Sequence, residues 1–499
     1  MKTNTSWKRV VIVVALGAAL SGVPAYPSVS EAIAADPLLI SNPGAVASGS
    51  SMPLQPQSSY EVTEWTQQAV TLASFPQSDP APVNQVLEWN QIFIDTLIAT
   101  NTANSSSPRL GAIVHTAIFD AYNGIERQYT PIFVQDRAPK KSSSQAAVIA
   151  AAYTALVGLF PSRQSALEAS YATSLAAVRD ECEQSGKYSC ATRIERGTAW
   201  GTEVAQAVLA WRATDGFSGS YPSFTGGTAF GQWRRTPPAF GPMSAQGLAF
   251  TAMFVLDSNT QFAPEPPRSL TSRTYTDDFN AVKALGRKTG STRTEDQTAL
   301  AAFWEGNASV HWNQAANQIA RAKNLSMSDS NRLLAVLNIA MADTVFTTWK
   351  SKRSYGEMAD QVTWRPVSSI PLADADGNPD TSPDPDWEPL INTPSHPEYP
   401  AGHPSLNGAA ATVLLRHFRR RQTFTLTTAG QPSRTYTSIT QARSDGNNAR
   451  VWGGMHYPST VDISDFEGEA IARYVDRKSM QLRNPVGNST AIPALVGRR

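Results

Sequence analysis

Three short stretches hold residues whose types and spacing could do chemistry on an anion. The first is His396-Pro397-Glu398-Tyr399-Pro400-Ala401-Gly402-His403-Pro404-Ser405. Its prolines hold the backbone extended, and Gly402 allows close approach to a ligand. The apolar spacing over 408–418 predicts a helix directly after it, so His403 sits near a helix start, where free N–H groups and the dipole favour negative charge. The second stretch, Trp349-Lys350-Ser351-Lys352-Arg353, leads to Trp364-Arg365-Pro366. The third is Arg450-Val451-Trp452-Gly453-Gly454-Met455-His456, in which two glycines separate Arg450 and His456 and permit a tight turn. Arginine presents a planar fork that fits a tetrahedral oxyanion, and lysine adds a point charge. Histidine can serve as nucleophile, proton carrier or metal ligand. Taken singly, such residues usually cap, pair or pack, and His115, His311 and His417 are read in that way. Only convergence would make the three stretches a site.

Helices must do the positioning. Apolar residues recur at helical spacing over 86–99, 108–125, 143–160, 164–178, 193–214, 275–285, 294–303, 312–323, 328–349, 408–418 and 465–478. Two short β-rich runs, 423–427 and 434–438, flank Ala429-Gly430-Gln431-Pro432 and predict one hairpin. The segment 217–241 is rich in Gly, Pro and aromatics and reads as a long loop draped on the helices. The expected fold is therefore mainly α: a large helical-bundle domain with a small β-hairpin.

The 499 residues carry 42 Lys+Arg against 41 Asp+Glu. Neither sign dominates, which argues against a general nucleic-acid or membrane-surface binder and makes any anion site a local cluster. Lys2, Lys8 and Arg9 precede an apolar run over 10–23, and Ala32-Ile33-Ala34 offers a small-residue cleavage site. Residues 1–34 thus read as a signal peptide, 35–83 as a Ser/Pro-rich leader, 84–483 as one helical domain and 484–499 as a loose tail. The chain is expected to be secreted or periplasmic, without a membrane span after cleavage. The two cysteines, Cys182 and Cys190, lie in a short loop between helices that an oxidising compartment would allow to close, for about 2–3 kcal/mol.

In their order these pieces resemble the three-part signature of the phosphatidic-acid-phosphatase type 2 and vanadium-dependent haloperoxidase superfamily: Lys…Arg-Pro, then Pro-Ser-Gly-His, then Arg-five residues-His. The chain looks most like the bacterial haloperoxidase-like branch, over about 84–476, including 114–121, 373–379 and 396–400. The resemblance implies paired four-helix bundles and a vanadate cofactor. By it, His456 resembles the histidine that bonds vanadium, or that attacks phosphorus in the phosphatases. His403 resembles the acid–base histidine. Arg365, Arg450 and Lys352 resemble the cations on the equatorial oxygens, with Lys352 polarising the bound peroxide, and Gly402 resembles a backbone N–H donor. Hydrogen peroxide and a halide would be the co-substrates, with a small organic acceptor possible.

Three departures stand out. Ala401 replaces the usual Ser and loses one hydroxyl donor, at about 1–2 kcal/mol of vanadate binding. The family spacing would put Met358 at the lysine position; Lys352 lies 13 positions before Arg365, about 140° away on one continuous helix, so it serves only if the helix ends near Gly356 and the chain loops out. Lys350 and Arg353 are the alternatives. Thr460 stands where phosphatases carry Asp, and Asp462 is the candidate substitute beside His456. His396 matches a position that is His in bromide-oxidising members, which favours bromide or iodide. The readings that remain are a vanadium haloperoxidase, an acid phosphatase with a phospho-histidine intermediate, and a non-catalytic phosphate-binding relative.

Overall fold

The computed structural model describes residues 83–483 apart from 187 and 357; the expected signal peptide, nearly all of the leader and the tail lie outside them. Thirteen α-helices and one hairpin lie among the described residues, joined by loops and short 3-10 turns. In chain order they are α1 (Gln85–Ala99), α2 (Ser107–Glu126), α3 (Ser144–Leu159), α4 (Gln164–Gln184), α5 (Cys190–Ala213), α6 (Arg273–Leu285), α7 (Glu295–Phe303), α8 (Ala308–Ala322), α9 (Met327–Tyr355), the single turn α10 (Pro366–Ser369), α11 (Gly402–His417), α12 (Ile439–Trp452) and α13 (Pro458–Lys478). Strands β1 (Phe424–Leu426) and β2 (Arg434–Tyr436) pair antiparallel, Phe424 opposite Tyr436, where the alternating sequence places the hairpin.

Helices α2, α3 and α5 pack on one another with α4 at their flank, and α11, α12 and α13 form a second group. Helix α9 runs between them and touches both α2 and the α11–α13 pair. Because it is buried on nearly all sides, its polar residues are stabilised where they find a partner. Asp343 does so by accepting the amides of Phe254, Val255 and Leu256 at 2.7–3.0 Å. Asp120 on α2 pins Ile132, Phe133 and Val134 in the same manner. Each carboxylate thereby fastens a loop to a helix, at about 1.5–3 kcal/mol per charged bond before desolvation is subtracted.

Helices α11 and α13 cross closely because Gly408 and Gly468 face the opposing backbone. A methyl group at either would collide with the carbonyl of Asp465 or Ser405. Cys182 and Cys190 are joined by a disulfide between the end of α4 and the start of α5. No single helix among the described residues is long and apolar enough to cross a membrane.

Several elements depart from the sequence expectation: α9 runs on to Tyr355, α13 starts at Pro458, and two further departures bear directly on the site. Helix α11 starts at Gly402, six residues earlier than the apolar pattern suggests, so His403 lies inside its first turn. Helix α12 was not expected at all. Its sequence, Ile-Thr-Gln-Ala-Arg-Ser-Asp-Gly-Asn-Asn-Ala-Arg-Val-Trp, is poor in helix formers. Burial of Ile439, Ala442, Ala449 and Val451 and a Ser438 cap on the Gln441 amide hold it instead.

Candidate oxyanion site

Five segments converge on one cavity of about 210 Å³, roughly seven waters at ~30 Å³ each. The end of α9 brings Trp349, segment 394–401 brings His396, and the start of α11 brings Gly402 and His403. The end of α12 brings Arg450, and the turn after it His456. Asn104 and Ser105 close the cavity from the α1–α2 connection, and Ser244 from a distant loop.

The turn between Arg450 and His456 explains how both reach the same space. Gly454 has φ 73°, a left-handed conformation that glycine adopts without strain. The amides of Met455 and His456 both return to the Arg450 carbonyl, at 2.9 and 3.2 Å. Arg450 is buried, and its Nε and one terminal nitrogen have no protein partner. Burial lowers its pKa to about 10, with Glu305 the opposing charge. An unpaired guanidinium in a cavity wall is a strong anion donor.

His456 is held at both ring nitrogens. Arg365, which can only donate, sits 3.0 Å from Nε2, so Nε2 is an acceptor whose lone pair is directed at Arg365. Nδ1 therefore carries the proton and donates to Glu398 Oε1 at 2.9 Å. Burial, followed by the nearby charges of Arg365, Lys352 and Arg450, holds the His456 pKa well below its ordinary value, consistent with a neutral ring. Arg365 also donates to His396 Nδ1 at 2.7 Å and to the carbonyls of His396 and Met455, both at 2.9 Å. His403 Nε2 lies 3.2 Å from the Gly306 carbonyl and 3.4 Å from Asn104 Nδ2, and burial likewise lowers its pKa. As the first residue of α11, Gly402 has an amide with no acceptor inside the helix.

Arg365, His396, Gly402, His403, Arg450 and His456 are thus brought together. Three other residues behave differently. Helix α9 does end at Tyr355 with Gly356 as its cap, as a serviceable Lys352 requires. Yet the Lys352 ammonium does not line the cavity; it donates to the carbonyls of Pro397, Glu398 and Pro400. It is a clamp on the backbone of the site loop, and burial together with Arg365 holds its pKa well below the ordinary lysine value. Ala401 is fully buried and adds no hydroxyl, and its amide is taken by Ser464 Oγ at 2.7 Å. Asp462 is exposed on α13, and the carboxylate at His456 Nδ1 belongs to Glu398 instead.

Glu398 is the residue that sequence reasoning missed. It stands within the His396–Ser405 stretch, but its meeting with His456, 58 positions away, is a tertiary contact without a local signature. Thr460 donates to its other oxygen at 3.0 Å, so the threonine at the phosphatase Asp position supports a carboxylate supplied from elsewhere in the chain.

The donor set fits a tetrahedral oxyanion. It combines the Nε2 acceptor of His456, now filled by Arg365, with two unpartnered nitrogens of the buried Arg450 guanidinium and a helix-start amide, and Arg365 adds its charge from behind the cavity wall. Among the described residues no group of three or more His, Cys, Asp or Glu could hold a bare metal ion, and an oxyanion requires none.

Known proteins are similar to this chain in sequence and in fold. Residues 332–485 match the sequence model of the VCPO second helical-bundle domain. Vanadium chloroperoxidase of Curvularia inaequalis is 30% identical over 193 residues, which are 32% of this chain and 30% of that protein, so the match spans under a third of the relative's length. The fold superposes on a bacterial vanadium-dependent iodoperoxidase with a TM-score of 0.67 at 22% identity, covering 82% of this chain and all of the other. An apo-type bacterial vanadium-dependent chloroperoxidase gives 0.56 at 16% identity, covering 75% of this chain and 93% of the other. At these identities the two structures speak for the fold. Residues 332–485 thus match the VCPO second helical-bundle domain in sequence, the described residues share the fold of vanadium haloperoxidases, and the chain is similar to the haloperoxidase-like branch of the phosphatidic-acid-phosphatase type 2 and vanadium haloperoxidase superfamily.

Proposed function

We propose that this chain is a vanadate-dependent haloperoxidase that oxidises bromide or iodide with hydrogen peroxide. The observation that carries the reading is the His456 ring, whose Nε2 lone pair faces a cationic nest while Nδ1 is locked by Glu398. Bound there, vanadate would activate peroxide toward a halide. His456 Nε2 is the atom that would hold vanadium. Arg450 and the Gly402 amide, in the cavity wall, would neutralise and orient the oxyanion, and Arg365, whose donors are engaged by His396, Met455 and His456, would add its charge from behind that wall. His403, in the cavity wall, is placed to take and return a proton beside it. Lys352 contributes charge through the loop it clamps rather than by direct contact. The cavity exceeds one oxyanion in volume, which leaves room for peroxide and halide.

His396 packs against Trp349 with ring centroids 5.2 Å apart and replaces a plain aromatic at the cavity edge. That polar edge supports bromide or iodide over chloride. The Cys182–Cys190 disulfide supports an exported protein, as does the expected signal peptide.

One observation favours a second reading. A histidine whose Nδ1–H is held by a carboxylate also suits attack on phosphorus, and Glu398 supplies that carboxylate. The deciding experiment sets peroxide-dependent bromination of a phenol dye, with and without orthovanadate, beside p-nitrophenyl phosphate hydrolysis by vanadate-free protein. Vanadate-dependent bromination is expected. Hydrolysis that vanadate inhibits, without bromination, would replace the first reading with the second. Silence in both assays would leave a non-catalytic anion binder.

A further inference from the structure

We propose that Glu398 is a positioning residue that makes His456 a ligand for vanadium and so biases the site toward vanadate over phosphate. This rests on the vanadate reading above. The carboxylate is fixed from every side. Oε1 accepts His456 Nδ1–H at 2.9 Å and the Tyr457 amide at 3.1 Å, and Oε2 accepts the Thr460 hydroxyl at 3.0 Å. Its backbone is equally tied: the Glu398 amide donates to the Thr363 carbonyl at 2.9 Å, and its own carbonyl accepts from Lys352 at 3.2 Å. Glu398 is fully buried and does not line the cavity, so it acts on the anion only through His456.

That indirect action separates two oxyanions of the same shape. A carboxylate on Nδ1–H fixes the tautomer and makes the imidazole a stronger electron donor at Nε2. Vanadium, which readily takes a fifth ligand, gains from that donor. Inorganic phosphate is held by charge and hydrogen bonds alone, so a buried negative group nearby only subtracts from its binding. Glu398 therefore helps the anion whose central atom bonds nitrogen and hinders the one whose central atom does not.

The test is calorimetric titration of the mature chain with orthovanadate and, separately, with inorganic phosphate. Glu398→Gln keeps an acceptor for Nδ1–H and an amide end that the Thr460 hydroxyl can accept, but removes the charge. The expected result is vanadate affinity lowered about 10- to 100-fold, with phosphate affinity unchanged or raised. Thr460→Val, which keeps the charge and frees Oε2, should lower vanadate affinity by a smaller factor and leave phosphate unchanged. It also covers the case in which Glu398→Gln fails to fold. Equal losses for both anions would overturn the proposal, since a merely structural residue moves them together. So would wild-type vanadate affinity in Glu398→Gln. Wild-type protein that binds phosphate but not vanadate would overturn the vanadate reading itself, and the proposal with it.

Discussion

The ammonium of Lys352 lies 2.6 Å from the carbonyl oxygen of Pro397, and the carbonyls of Glu398 and Pro400 share the same cation. A lysine whose three donors are spent on backbone is not aimed at a ligand. It fastens the segment that carries His396 and Glu398 to the last turns of α9. Removing it by Lys352→Met should strand three buried carbonyls and destabilise the ligand-free protein by about 3–5 kcal/mol. Urea unfolding without vanadate measures this directly. A cation that merely faced an anion would give the opposite sign there, because its loss would relieve repulsion from Arg365.

Ala401 leaves the nest one hydroxyl short. Ala401→Ser should strengthen vanadate binding by about 1–2 kcal/mol, a factor of roughly 5 to 30. Comparative vanadate titration reads the change. An unchanged affinity would mean that the cavity hydroxyls of Ser105 and Ser244 already supply the missing donor.

Glu467 on α13 is buried, accepts from Thr348 Oγ1 at 3.1 Å, and has its other oxygen unpartnered. Burial pushes its carboxyl up to about 8, above the ordinary 4.5. A raised carboxyl favours folding most below the unfolded value, and that advantage is lost as pH climbs through the folded value. Between about pH 4.5 and 8 this group should cost the fold on the order of 3–5 kcal/mol. Glu467→Gln removes the titration and should flatten the stability–pH curve across that window. Parallel curves for wild type and variant would show that Glu467 is not the cause.

The crossing of α11 and α13 depends on Gly468, since a methyl there meets the Ser405 carbonyl one turn from His403. Gly468→Ala should lower stability by about 1–3 kcal/mol through overpacking. It should also weaken vanadate binding, because α11 carries Gly402 and His403. Melting temperature and vanadate affinity should fall together.

How much of this was legible in the sequence differs by residue. The helical bundles and the hairpin follow from apolar spacing, and of the three stretches Trp349, His396, Gly402, His403, Arg450 and His456 line one cavity, while Lys352 and Arg365 lie behind its wall. Helix α12, which carries Arg450, escaped notice because its residues are weak helix formers that packing and the Ser438 cap make helical. Lys352 was placed correctly along α9, yet spacing could not show that its ammonium turns toward backbone carbonyls rather than the cavity. Asp462 looked plausible by proximity to His456, but position on α13 leaves it exposed. Glu398 was visible as a letter and invisible as a partner, since only the tertiary fold brings it to His456.

The central claim is that His456 holds one vanadium in this nest. Equilibrium dialysis against orthovanadate, followed by elemental analysis, tests it most directly on wild type and His456→Ala. One vanadium per chain is expected in the wild type, with affinity weakened about 100-fold or more, roughly 2.7 kcal/mol, in the variant. Equal vanadium retention by the two proteins would contradict the account.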